Sequence, residues 1–360
     1  MTTFQQQIRF CTSHDGARIA YATSGNGAPL VKAANWLSHL EFDGASPVWT
    51  HWLRELSRNN TLVRYDARGC GLSDSDVELS FDAWVHDLEA VADASGSKRF
   101  PLLGISQGAS IAIAYAVKHP DRVSHLVLHG GYARGRAKWA GSTNPIEEAE
   151  MMIKLAELGW GQQNPAFRQF FTTQFIPDGT PEQHQWFNEL ERISTSPANA
   201  GRFLRVLNWI DIVDLLPKVS CPTLVSHCVR DARVPFDEGR LIATMIRGAR
   251  FVPLESNNHL LLDSEPAWPR WVMELRAFID GGDGVTEARD PVFRSLTPRE
   301  RDLVELIAQG RDNAQIAAEL GLSAKTVRNH ITSIFAKLAV ENRSQAIVLA
   351  RNAGFGSPRH

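Results

Sequence analysis

Apolar positions along the chain follow two regimes that change near residue 280. Before it, short β-rich runs alternate with longer amphipathic stretches. "QIRFC", "RIAYA", "PLVKA", "TLVRY", "FPLLG", "SHLVLHG", "PTLVSH" and "ARFVPLE" each read as a strand. The later runs are continuously apolar, as strands buried on both faces should be. Between them "FDAWVHDLEAVADA" and "ASIAIAYAVKH" carry helical periodicity. This alternation predicts an α/β class: a mostly parallel sheet with helices on both sides. Residues 135–216 break it. They are helical in character and hold Trp139, Trp160, Trp186 and Trp209 beside several phenylalanines. An inserted cap over the end of the sheet is expected there. Most of its aromatics would form its own core. A few, with Trp36, are candidates for lining a pocket, because ligand sites are mainly apolar and aromatic.

The change of regime falls on "DGGDGVTEARDP", residues 280–291. Three glycines, mixed charges and a closing proline give no apolar period, so a flexible linker is expected over 281–291. It would separate a domain over 1–280 from a small all-α domain over 292–360. The chain of 360 residues is long enough for both.

Charge is divided along the same line. Residues 291–360 hold ten Lys/Arg against six Asp/Glu, a net +4, while residues 1–290 carry −6. Such a distribution suits a polyanion met only by the small end. No run of 18 apolar residues occurs, which argues against a membrane span. The start "MTTFQQQIRFCTSHDG" lacks the pattern of a signal peptide. Cys11, Cys70, Cys221 and Cys228 match neither a disulfide framework nor a zinc spacing. These features point to a cytoplasmic protein with no metal site and no cofactor.

"GISQG", residues 104–108, fits G-x-S-x-G, and its context strengthens the match. The apolar run "RFPLLG" feeds into it and the small-residue stretch "ASIAIAYAV" leaves it. A sharp strand-to-helix turn of this kind lifts a serine Oγ out of the backbone, with glycines where a Cβ would clash. Ser106 would then sit at a helix N-terminus, where developing negative charge is stabilised. A serine hydroxyl needs an adjacent base, oriented in turn by a carboxylate. Asp231 follows "PTLVSHCVRD" and His259 follows "RFVPLESNNH", each at the end of an expected strand.

With these residues in place, residues 7–280 resemble the α/β-hydrolase family, including "RYDARGCGLSD" and "SEPAWPRWVMELRAFI". The resemblance implies a mostly parallel eight-stranded sheet with a helical cap. It also implies Ser106 as nucleophile, His259 as general base and acid, and Asp231 as orienting carboxylate, in preference to Asp211, Asp214 or Asp237. The backbone N–H of Gln107 is one oxyanion donor by position. Where the family usually has His-Gly, this chain has "ANWLSH", so the second donor is assigned to the N–H of Trp36, with Asn35 next. His39 and His51 read as surface or core residues, and Asp66 and Arg68 as parts of a structural turn.

The tail, residues 296–352, reads as successive short helices. Thr297 and Glu300 form a capping box around a proline, and Gly310 stops the first helix. "NAQIAAEL" makes the second, and Ser323 caps a third in a helix-turn-helix layout. Val327, Ile331, Ile334 and Leu338 form one stripe on that third helix. Lys325, Arg328 and Asn329 then point away from it, with Thr326 and His330 on its flanks. The order of "LTPRER", the spaced "IA…L.LS..TV" and "KLAV" resembles the LuxR-type helix-turn-helix family over residues 292–355. The resemblance implies a recognition helix in the major groove of operator DNA. Lys325, Thr326, Arg328, Asn329 and His330 would contact bases or phosphates, and Lys337 the backbone. Such modules pair on two half-sites, so a homodimer is expected.

Taken together, the sequence predicts a ligand-responsive transcriptional regulator. Its front domain would sense a small apolar acyl or ester-type molecule, and the three residues of the site are equipped to hydrolyse it. The alternative is a working serine hydrolase that degrades its own signal, with DNA binding as regulation.

Overall fold

Each of the eight apolar runs becomes a strand of one sheet in the computed structural model. It describes residues 4–360 apart from 140, 142, 161, 163, 165, 281–292, 294–295, 339, 341, 353–354 and 357–360. The chain divides into two units, Met1–Asp280 and Gly281–His360. The linker expected over 281–291 lies outside the described residues.

In the first unit the strands are β1 (Gln7–Thr12), β2 (Arg18–Ser24), β3 (Ala28–Lys32), β4 (Asn60–Tyr65), β5 (Phe100–Ile105), β6 (Val123–His129), β7 (Thr223–Cys228) and β8 (Arg250–Leu254). Their order is β1-β2-β4-β3-β5-β6-β7-β8. β2 pairs antiparallel with β1 and β4; every other pairing is parallel. Burial follows from position. β7 lies inside the sheet and all six of its residues are buried, whereas edge strand β1 has only exposed and half-buried positions. Crossover helices on the two faces supply the second layer that a parallel sheet needs.

Between β3 and β6 run α1 (Leu40–Asp43), α2 (Thr50–Leu56), α3 (Phe81–Ala94) and α4 (Gln107–Lys118). The chain then leaves the sheet for the cap: α5 (Pro145–Gly159), α6 (Ala166–Phe175), α7 (Pro181–Ser194) and α8 (Pro197–Trp209). α9 (Phe236–Met245) joins β7 to β8, and α10 (Ala267–Ile279) closes the unit. An aromatic column ties cap to sheet: Trp160 stacks on Trp36 at 5.1 Å, Trp36 on Phe203 at 6.0 Å, and Phe203 on Trp84 at 5.2 Å. The turn around Arg68 is structural. Its buried guanidinium pairs with Asp87 at 2.6 and 2.7 Å and with Asp15 at 2.6 Å. Asp66 accepts the backbone N–H groups of Leu40 and Leu72.

The second unit is helical: α11 (Pro298–Ala308), α12 (Asn313–Leu320), α13 (Ala324–Leu338) and α14 (Arg343–Asn352). Both Thr297–Glu300 and Asp312–Gln315 form complete capping boxes. Gly310 and Gly321 end the first two helices at positive φ. Val327, Ile331, Ile334 and Leu338 are all buried and pack with Leu303, Val304, Ile307, Ile316 and Ala346. Among the described residues, no helix is long and apolar enough to cross a membrane.

Candidate active site and candidate nucleic-acid interface

β5 runs into α4 through Ser106, whose φ of 54° and ψ of −127° make it the one non-glycine residue at positive φ among those described. Such a conformation costs about 1–3 kcal/mol and persists only when its surroundings enforce it. Here glycines on both sides do so. A Cβ at Gly104 would lie 2.5 Å from Ala109 Cα, and one at Gly108 would lie 2.9 Å from the Ala34 carbonyl oxygen. The turn brings the hydroxyl to the sheet's C-terminal edge, where the residue stays buried, while the Ser106 N–H donates to the His129 carbonyl at 2.9 Å.

Asp231 stands at the end of β7 and His259 after β8. His259 Nδ1 lies 2.8 Å from Asp231 Oδ2. The other oxygen, Oδ1, accepts the N–H groups of Arg233 and Val234 at 2.8 and 2.9 Å. Burial alone would raise the Asp231 carboxyl. The charge and hydrogen bond of His259 outweigh it and hold the group below the ordinary range. Gly130, at φ 56°, packs against the imidazole, and a Cβ there would come within 2.9 Å of His259 Cε1. From the cap, the Phe175 carbonyl accepts the His259 N–H at 2.9 Å. His259 Nε2 is buried with no hydrogen-bond partner, and no hydrogen bond joins it to Ser106 among the described residues. The alternative acids are engaged elsewhere: Asp211 pairs with Lys138 and Asp237 with Arg240, while Asp214 lies in a short 3-10 turn.

The loop after β3 differs from the expectation. The Trp36 N–H does not stand open; it donates to the side-chain Oε1 of Gln107 at 2.7 Å. The Asn35 side chain is also engaged, accepting from Lys32 Nζ. Burial pushes the Lys32 ammonium down to about 7, against the opposing pull of Asp43. The N–H expected to be the second oxyanion donor is thus covered by the side chain of Gln107, whose own N–H is the expected first.

A narrow cleft adjoins the elbow; it has about 20 Å³ of room for water-sized groups, and about 370 Å³ only when its open mouth is counted. Ser106, Gln107, Trp36, Tyr132, Trp139 and Phe175 are among its walls. Of the five tryptophans expected to line a pocket, only Trp36 and Trp139 do so among the described residues. Trp160 is buried behind Trp36 and donates its indole N–H to the Glu191 carbonyl. Trp186 stacks on Phe42 at 4.7 Å, and Trp209 is 47% exposed. Periodicity cannot tell which face of a cap helix meets the cleft. The cleft also holds Arg136 and Arg233, which went unremarked in the sequence. The available clue was that Arg233 stands two residues after the candidate acid.

In the second unit Ser323 caps α13 by accepting the Thr326 N–H at 3.1 Å, and the two hydroxyls lie 2.8 Å apart. Lys325, Arg328 and Asn329 are exposed, Thr326 and His330 half-exposed. The side chains of Lys325, Arg328 and Asn329 have no hydrogen-bond or ion-pair partner among the described residues, which leaves them available to a ligand. Lys337 differs. Its Nζ lies 2.6 and 2.8 Å from the two carboxylate oxygens of Glu300, so it closes the capping box of α11 instead of standing free for a phosphate. That ammonium and the Thr297 N–H hold the Glu300 carboxyl down to about 2.

Comparison with known proteins assigns both units. A family model described as bacterial regulatory proteins, luxR family, matches residues 294–350, and one described as alpha/beta hydrolase fold matches residues 42–205. The spore germination protein GerE of Bacillus subtilis is 53% identical over 53 residues, 15% of this chain and 72% of that protein. Pyrrolizixenacetamide deacetylase of Xenorhabdus hominickii is 26% identical over 268 residues, 73% of this chain and 95% of that protein. An esterase structure from Exiguobacterium antarcticum shares the fold, with a TM-score of 0.65 at 23% identity, covering 75% of this chain and 98% of the other.

Proposed function

Because this chain belongs to the luxR family of bacterial regulatory proteins and carries an α/β-hydrolase domain ahead of its helix-turn-helix, we propose that it is a transcriptional regulator answering to a small acyl or ester-type molecule. The observation that carries the reading is a cleft built on a strained elbow serine in the same polypeptide as a DNA-binding module. The protein works in the cytoplasm as a homodimer on paired half-sites. α14 presents Val348 at 59% exposure as an apolar face for a second copy.

In the cleft Ser106 Oγ attacks the acyl carbon, and His259 Nε2 takes its proton. The alcohol departs with that proton, and water then cleaves the acyl-serine by the same route reversed. Asp231 stays ionised and fixes the imidazole. The oxyanion needs the Gln107 N–H, and it gains the Trp36 N–H only when the Gln107 side chain releases it. This covered donor supports a receptor that turns its ligand over slowly. The 2.8 Å His259–Asp231 pair supports the second reading, a hydrolase that removes its own signal. Labelling by a fluorophosphonate tests for an activated serine, and the rate at which the ligand itself is turned over, measured separately, divides the two readings.

Gly130→Ala tests the placement of His259. The added methyl, at positive φ and 2.9 Å from the ring, displaces the imidazole. Ester turnover falls by about 10²-fold, the usual consequence of a misplaced catalytic group. A loss below about threefold, in protein with a normal melting transition, would remove His259 from the reaction.

On DNA, Arg328→Ala and Lys337→Ala should separate. Removing a phosphate contact at Arg328 weakens all sequences alike and lowers the salt slope by about 0.9 per contact; removing a base contact relaxes specificity. Lys337→Ala leaves the slope unchanged, because its charge is already spent on Glu300, although the helical unit loses stability. Binding titrations across a salt series read both. An unchanged Arg328→Ala isotherm would mean that α13 is not the reading helix.

A further inference from the structure

The cleft beside Ser106 is less apolar than a simple ester would require. Arg136 opens the cap and Arg233 follows the orienting carboxylate, and both line the cleft together with Ser106. The same two arginines, with Trp139, also line the outer cavity that adjoins it. They therefore stand between solvent and serine. Each is held by weak or neutral contacts. Arg136 lies over the Trp139 ring at 4.5 Å, and its nearest carboxylate, Glu148, is 3.9 Å away. Arg233 lies over Phe175 at 5.3 Å and donates to Gln174 Oε1 at 2.9 Å. Among the described residues no carboxylate comes within ion-pair distance of Arg233. Arg136 Nη2 lies 3.5 Å from the Arg233 carbonyl oxygen, and the two like charges, both half-buried, repel each other. Holding the two cations together is costly, and an anion relieves that cost.

We propose that the ligand of this cleft carries a carboxylate, received by Arg136 and Arg233, in addition to the acyl group presented to Ser106. The inference rests on the reading of the cleft as a ligand site. It narrows the ligand from an apolar ester to an anionic one, such as a half-ester or acyl derivative of a dicarboxylic acid. A guanidinium matches a planar carboxylate in two hydrogen bonds, which gives orientation as well as attraction. Two cations at the mouth also draw an anion inward, an effect that salt weakens.

The test compares anionic and neutral probes of one shape. p-Nitrophenyl pentanoate is paired with mono-p-nitrophenyl glutarate, and phenyl acetate with 4-carboxyphenyl acetate, so that the carboxylate is offered on either side of the ester. In the full-length protein one anionic probe should be favoured over its partner by at least tenfold in kcat/KM. Arg233→Gln and Arg136→Gln should each cut that ratio by tenfold or more, and Arg233→Lys should retain most of it. The ratio cancels general damage to the site. Equal use of both members of each pair, or a ratio unchanged within twofold in both Arg→Gln variants, would overturn the proposal. If no probe is turned over, the hydrolase reading fails by itself. Tryptophan quenching of the Ser106→Ala protein then decides: tighter binding of monomethyl glutarate than of methyl pentanoate, lost in Arg233→Gln, supports the anionic ligand, and equal binding contradicts it.

Discussion

Ser106→Ala is expected to reduce hydrolysis of short p-nitrophenyl esters by at least about 10³-fold while leaving the fold intact, since the substitution deletes the covalent step. The loss of structure should be slight. Ser106 occupies the same positive-φ turn with either side chain, and among the described residues its hydroxyl makes no hydrogen bond that the core depends on. Any turnover left reflects the oxyanion donors and binding alone. Retention of more than about one tenth of the parent rate would assign the attack to another residue. His259→Ala should be nearly as damaging, because members of such a unit do not contribute additively.

The second large effect is on DNA. Ligand that enters the cleft should shift operator affinity by about 5–150-fold, corresponding to a coupling of about 1–3 kcal/mol. Paired helix-turn-helix modules must match the separation of two half-sites, so a modest rearrangement of the bodies that carry them is enough to switch binding. Within the first unit one wall of the cleft is bonded to the backbone that carries His259. The cap residue Phe175 lines the cleft, and its carbonyl holds the backbone of His259 and Leu260. Linkage demands reciprocity: operator DNA must change ligand affinity by the same factor. A receptor and a signal-destroying enzyme then differ in one variant. Ser106→Ala remains responsive in the first, and in the second it keeps its ligand and locks the response.

Sheet, cap and tail were legible because each rests on local rules. Apolar runs of strand length alternate with helical periods, and the elbow requires glycines at fixed offsets around Ser106. That Asp231 and His259 come together at 2.8 Å could be expected because each stands just beyond a strand whose end the chain marks. What stayed hidden depends on pairs distant in sequence. Gln107 covers the Trp36 N–H across 71 positions, and Lys337 closes on Glu300 across 37. Neither contact leaves a trace in spacing or periodicity. The tryptophans show the same limit from another side. Trp160 and Trp209 both belong to an aromatic cap, yet one is enclosed and the other 47% exposed, because helix packing decides which face turns inward. Arg136 and Arg233 lie outside regular helices and strands, where no periodicity marks an inward-facing side chain.

Coupling between occupancy of the Ser106 cleft and binding of DNA is the core of the proposed function. Its most direct test is operator affinity, read by fluorescence anisotropy on a duplex selected from a random pool. It is measured for parent and Ser106→Ala protein, with and without a small molecule shown by calorimetry to fill the cleft. A shift of fivefold or more in at least one of the two proteins is the result expected. Equal affinity in both, within twofold and with the cleft demonstrably occupied, would contradict the coupling of the two domains.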